Sequence, residues 1–110
     1  MDETFKKISS RELSKQMEDI SKFYFLALKH ISHPEKLKDS GELISDYELY
    51  VARVRRAFHS LDYLDQTIIN NEFFYEAYDG WWRKLYSRST FYRLKKKCLI
   101  RFLEAFNNEN

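Results

Sequence analysis

The sequence predicts an all-α protein: a small helical bundle of four to five helices, with a long N-terminal helix and a C-terminal helix-turn-helix. Three observations carry this. Glycine occurs twice and proline once in 110 residues, so breakers and tight hairpins are few. Apolar residues recur at steps of three and four in several windows, the period of a helix with one buried stripe. The length suits a single domain, residues 1–110, with one modest core. Nine Phe, eight Tyr and two Trp can fill that core with few side chains.

Residues 1–8 read as a frayed lead. Ser9 and Glu12 have capping-box spacing, in which a hydroxyl accepts from an amide of the first turn and a carboxylate reaches back. Leu13, Met17, Ile20, Tyr24, Leu28 (or Ala27) and Ile31 then form one stripe, widened by Phe23, Phe25 and Leu26. The predicted helix spans residues 9–33 and must bury that face against its own domain or a second copy. His33-Pro34 ends it, because proline lacks an amide hydrogen and pushes its predecessor out of the helical region. Pro34 to Glu42, with Asp39-Ser40-Gly41, reads as a loop between helices.

The unit from 45 to 106 follows. Ser45 and Glu48 form a second capping box, for a helix with Val51, Val54, Phe58 and Leu61 inward. Asp62 caps a third helix that buries Leu64, Ile68, Ile69, Phe73 and Phe74. Glu76 to Tyr86 reads as a short fourth helix anchored by Trp81, Trp82 and Leu85, with Asp79-Gly80 delaying its start. Ser87 is an N-cap for the last long helix. Phe91, Leu94, Cys98 and Phe102 form its inner stripe, extended by Leu99, Leu103 and Phe106. The polar tail Asn107 to Asn110 is expected to fray.

The longest strictly apolar run, near Phe23 to Leu28, is too short to span a membrane. The N-terminus lacks the apolar stretch of a secretory signal. A single cysteine, Cys98, leaves no intrachain disulfide and no thiolate metal cluster. The expectation is a cytoplasmic protein with no membrane partner. The net charge of +2 hides an asymmetry. Between Trp81 and Leu103 stand eight basic residues and no Asp or Glu, while the remainder holds eleven basic and seventeen acidic. Such a division implies a basic surface aimed at a polyanion, beside an acidic remainder.

Within Trp81 to Phe102, a short helix, a tight connection at Tyr86-Ser87 and a helix beginning Arg88-Ser89-Thr90 have helix-turn-helix order. Ser89 and Thr90 can donate to phosphate beside the free amides of the first turn. Arg88 and Arg93 can hold phosphate or reach a guanine edge, and Tyr92, Lys96 and Lys97 lie outside the inner stripe. Arg83 and Lys84 extend the basic surface upstream. These nine residues are the candidate DNA-binding set, with 88–106 as recognition helix and double-stranded DNA as partner.

The stretch Ala57-Phe-His-Ser-Leu-Asp through Ser87-Arg-Ser-Thr-Phe-Tyr-Arg-Leu-Lys-Lys-Lys-Cys-Leu resembles the C-terminal, promoter-reading domain of bacterial sigma factors. It is most similar to the ArpU-type sigma-like regulators of phages and Gram-positive bacteria, over roughly half the chain. The resemblance implies that Arg88, Ser89, Thr90, Tyr92 and Arg93 form the recognition surface, with Phe91 and Leu94 in the core. It implies a transcription regulator or sigma-like accessory factor, with RNA polymerase as a further partner. Two places depart from the pattern. Trp81-Trp82-Arg83 stands where a Glu-Ile-Ala-like segment is usual, and Tyr86 where the turn has glycine, the residue that tolerates a left-handed backbone. The N-terminal helix lies outside the resemblance and would pair two copies or contact polymerase.

Each candidate has a plainer reading. Lys95-Lys-Lys97 could be a solvated face, and Tyr92 could stack on a base or sit in a crevice. Trp81 and Trp82 read first as core anchors. His30 and His33 share a helical face but have no third ligand in view. Asp62 with Asp65, and Glu72 with Glu76, read as caps and solubilising residues rather than acid–base pairs. No nucleophile, phosphate loop, metal or cofactor motif stands out, so no enzyme is expected. The alternative to DNA binding is a module that docks RNA polymerase or another acidic protein without reading DNA.

Overall fold

The computed structural model describes residues 7–37, 41–75 and 77–108. Most of the N-terminal lead, Asp39-Ser40 of the loop, Glu76 and the last two residues of the tail lie outside the described residues. Every regular element described is helical, and no strand occurs among the described residues: α1 (Ser10–Ser32), a 3₁₀ turn (Pro34–Leu37), α2 (Ile44–His59), α3 (Tyr63–Ile69), a π turn (Asn70–Phe74) and α4 (Arg88–Asn107). The chain is a small all-α bundle. No helix among the described residues is long and apolar enough to cross a membrane.

Helix α1 starts where the cap predicts, with Ser9 Oγ accepting from the Glu12 amide at 3.2 Å. It ends at His33, whose amide donates to the carbonyls of Lys29 and His30. Its buried positions are Leu13, Met17, Ser21 and Ala27. The stripe is narrower than expected: Phe23, Phe25 and Leu26 remain 40–43% exposed. Helix α2 runs antiparallel to α1. Tyr47 near its start meets His30 at 4.7 Å between ring centroids, and Arg55 near its end donates to the Tyr24 hydroxyl at 3.2 Å.

The second predicted cap is not used. Helix α2 begins at Ile44 with Leu43 at the cap position and no side-chain cap bond, which leaves Ser45 inside the helix. Packing outweighs capping here. Ile44 lies against the small cluster of Ala27, Leu37, Tyr47 and Val51, and the Tyr47 hydroxyl donates to Glu42 Oε2 at 2.8 Å.

Asp62 caps α3 as predicted, accepting from the Asp65 amide at 2.9 Å. Ile68, Ile69 and Phe73 are buried, but Leu64 is 38% exposed. The helix then widens, with the Tyr75 amide donating to Asn70 O at 2.7 Å. The wider turn lets neighbouring rings part: Phe73 enters the core, while Phe74 meets Tyr24 and Phe25 of α1 at 5.4 and 6.1 Å.

The short helix expected over Glu76–Tyr86 is replaced by successive turns. Trp81 donates to Tyr78 O, Arg83 to Gly80 O, and both Leu85 and Tyr86 to Trp82 O. Gly80 has φ +76°, a left-handed conformation that interrupts a right-handed helix. Packing decides the rest. Side chains of consecutive helical residues diverge by about 100°, yet Trp82 stacks face-on upon Phe91 (4.4 Å, 5°) while Trp81 meets the same ring edge-on (5.7 Å, 89°). Leu85, expected as an anchor, is 66% exposed. The link from the π turn to α4 is residues 75–87, thirteen in all, against about three to four in a helix-turn-helix. Tyr86-Ser87 leads straight from the turns into α4, with no regular helix before it to complete a helix-turn-helix.

Helix α4 packs on α1, α2 and α3 through Phe91, Cys98, Leu99, Phe102, Leu103 and Phe106. The Cys98 thiol donates to Asp65 O at 3.2 Å, and burial pushes its pKa far above the ordinary range. At the C-terminal end Arg53 Nε donates to Phe106 O at 2.8 Å, satisfying a carbonyl with no partner inside the helix. At the other end Ser87 accepts from the Thr90 amide at 3.3 Å. Ser87→Ala is expected to cost about 1 kcal/mol. A denaturation midpoint unchanged from wild type would show that the cap contributes nothing.

Candidate nucleic-acid interface

The eight cations between Trp81 and Leu103 divide into two groups. Arg101 Nη1 donates to both carboxylate oxygens of Asp65, at 3.1 and 2.9 Å, and Asp65 is 3% exposed. That carboxylate raises the Arg101 pKa further. Lys95 Nζ donates to Glu72 Oε1 at 2.8 Å, with both side chains under one-fifth exposed. These two cations are held by packed carboxylates, Lys95 itself largely buried and Arg101 with its side chain still 54% exposed. The other six (Arg83, Lys84, Arg88, Arg93, Lys96 and Lys97) form no ion pair among the described residues.

All six belong to the turn segment or the first half of α4. Ser89, Arg93, Lys96 and Lys97 are spaced by four, three and one, which puts them on one helical face. That face points away from the Phe91–Cys98–Phe102 stripe, with Ser89, Arg93 and Lys97 exposed and Lys96 half-buried. Arg88 lies at the N-terminal end with its guanidinium 6.0 Å from the Tyr92 ring. Tyr92 is 48% exposed, with its inner edge against Trp82 at 5.8 Å and Phe91 at 5.4 Å. It has both a packed side and an open one. Thr90 is half-buried, and its Oγ1 accepts from the Ser87 hydroxyl at 2.9 Å, so it serves the cap first. Arg83 reaches back over Gly80, where a β-carbon would lie 2.8 Å from its Nε, and its guanidinium sits 5.8 Å from the Trp82 ring. Arg83 and Lys84 therefore stand beside the α4 cations although no regular helix carries them.

One residue that holds this arrangement reads in the sequence only as a cap or solubilising carboxylate. Besides Lys95, Glu72 accepts from Trp81 Nε1 at 2.9 Å through its other oxygen. A single carboxylate thus ties the π turn to both the turn segment and α4. Its position hints at this role in retrospect. Asp65 and Glu72 are seven apart on one strip, Lys95 and Arg101 six apart on another, and antiparallel packing pairs them. Glu72→Gln keeps an acceptor for Trp81 but leaves the Lys95 ammonium without its counterion. The expected loss is about 1–3 kcal/mol, read from urea denaturation. A second change, Lys95→Met, is expected to recover part of it in a double-mutant cycle; additive losses would show that the pair is uncoupled.

His30 packs on Tyr47 and His33 Nδ1 lies 3.5 Å from Glu35 Oε1. No group of three metal-ligating side chains occurs among the described residues. Compared with known proteins, the chain matches no family model, and neither a curated protein nor a solved structure shows significant similarity to it.

Proposed function

We propose that the chain binds double-stranded DNA through the first half of α4 and the adjoining turn segment. The observation that supports this best is the division of cations. Lys95 and Arg101 are neutralised by the packed carboxylates of Glu72 and Asp65, and the other six stand on the turn segment and the first half of α4 with no counterion among the described residues. Cations spread at random over a solvated face would not separate in this way. The exposed serine and the free amides of the first turn of α4 add phosphate donors at the same end. The resemblance to sigma-factor C-terminal domains points to a cytoplasmic transcription regulator or sigma-like accessory factor. In that role the exposed Phe23, Phe25 and Leu26 of α1 would contact a second copy or RNA polymerase.

Because the short helix before α4 is absent, phosphate contacts are expected to dominate over base reading. Affinity should then depend steeply on salt. With about six phosphates neutralised, counterion release weakens binding by about a thousandfold between roughly 50 and 200 mM salt. Fluorescence anisotropy with a labelled random-sequence duplex measures this; absence of binding at the lower salt would overturn the proposal.

A second reading has one observation in its favour. Tyr78 (73% exposed) and Leu85 (66% exposed) sit in the same turn segment as Arg83 and Lys84. Apolar side chains among cations suit an acidic protein surface, such as one on RNA polymerase, better than a phosphate backbone. Binding to purified polymerase without binding to duplex would favour that reading.

A further inference from the structure

Away from Glu72 and its partners, α1, α2 and the π turn line a half-open pocket of about 270 Å³. Its chemistry differs from that of the basic tip. Tyr24, Phe58 and Phe74 form apolar walls, and Arg55, His59 and Asn70 reach the rim. Tyr24 and Phe74 already meet edge-to-face at 5.4 Å and 88°, which leaves ring faces and edges for a further planar group. No described lining residue carries a carboxylate.

The polar groups at the rim have capacity to spare. Arg55 uses Nε to donate to the Tyr24 hydroxyl, and its terminal nitrogens make no other hydrogen bond or ion pair among the described residues. The His59 ring packs edge-on against Phe58 at 5.4 Å, and no hydrogen bond engages its nitrogens among the described residues. The same is true of the Asn70 side-chain amide. Asn70 O accepts from the Tyr75 amide across the widened turn, so the π geometry itself sets the cavity's third wall. Interruptions of this kind recur at functional sites.

The geometry points to a binding site for a small planar aromatic carboxylate, with its ring between Tyr24, Phe58 and Phe74 and its anionic group at Arg55 and His59. Size limits the ligand to one ring or two fused rings, since cavities for drug-sized ligands begin at about 300 Å³. A planar guanidinium pairs with a carboxylate through two parallel hydrogen bonds, which favours that anion over a neutral amide of equal shape. The site is independent of DNA binding and stands or falls without it.

The test uses the full chain with benzoate as probe and benzamide as its neutral counterpart. Calorimetry is expected to show saturable benzoate binding with a Kd of about 1 mM or tighter, and binding of benzamide about tenfold weaker or less. Amide shifts in a nitrogen–proton NMR titration should centre on Tyr24, Phe58 and Asn70. Arg55→Gln, at an exposed position, should weaken benzoate about tenfold with circular dichroism unchanged. Four results would overturn the inference: no saturable benzoate binding, equal affinity for benzamide, wild-type affinity in Arg55→Gln, or shifts centred on Arg88 to Lys97. The last would mean that benzoate only visits the basic tip as an anion.

Discussion

Reversing Arg88 and Arg93 together to glutamate is expected to weaken duplex binding by roughly a hundredfold or more while helicity and melting temperature stay near those of wild type. The two halves of this prediction have separate physical grounds. On the binding side, each reversal removes a phosphate contact and adds a repulsion where the helix end faces the backbone. Losing two contacts should also lower the slope of log affinity against log salt by about 1.8, a change that a general loss of folded protein would not produce. On the stability side, both side chains are exposed and neither forms an ion pair among the described residues. A glutamate at Arg88, the first residue of α4, even favours the helix, because its N-terminal amides carry partial positive charge. Anisotropy at matched salt, paired with circular dichroism, checks both halves. A variant that binds as tightly as wild type would remove α4 from the interface.

The largest effect on stability is expected at Phe91→Ala, about 3–5 kcal/mol. Phe91 is fully buried. Its ring faces Trp82 at 4.4 Å, and Trp81 and Tyr92 meet it edge-on at 5.7 and 5.4 Å. Truncation therefore opens a cavity beneath three aromatic rings at once, and an empty site in a close-packed interior forfeits contacts that relaxation recovers only in part. Against a total stability of about 5–15 kcal/mol, such a loss brings the protein near unfolding. Urea denaturation followed by tryptophan fluorescence reads it directly, and Phe91→Leu, which retains much of the volume, should lose far less. A loss below about 1 kcal/mol from Phe91→Ala would mean that the stack is not packed as the geometry indicates. The same substitution also tests how Arg83 and Lys84 are held, because the turn segment that carries them rests on Phe91.

Much of the bundle was legible from local chemistry. Ser9, Asp62 and Ser87 cap α1, α3 and α4 as their side chains require, and His33-Pro34 ends α1. In these cases the decisive interaction joins residues three or four apart, so the sequence contains both partners side by side. The inner stripe of α4 was legible for the same reason: Phe91, Cys98 and Phe102 recur at helical spacing. Of the candidate interface residues, the exposure of Arg88, Ser89, Tyr92, Arg93 and Lys97 follows from that stripe, because a helix with one buried face presents the other.

The failures share one cause as well. Ser45 lost its cap role because Ile44 and Tyr47 gain more from packing against Ala27 and Leu37, residues of other elements. Leu85 was expected inside and lies outside, because Gly80 and the two indoles converging on Phe91 turn the segment off the helical path. Glu72 and Asp65 looked like ordinary surface carboxylates, and became counterions of Lys95 and Arg101 only when α3 and the π turn packed antiparallel to α4.

By itself, then, the sequence determined α1 to α4, the caps of α1, α3 and α4, the one-sided basic charge and the face of α4 turned to solvent, since each depends on neighbours along one helix. The tertiary structure alone decided which two of the eight cations are neutralised, how the Trp81–Tyr86 segment runs, and where three elements leave an aromatic cavity. Those outcomes depend on residues tens of positions apart, and no local spacing encodes the register at which two helices meet.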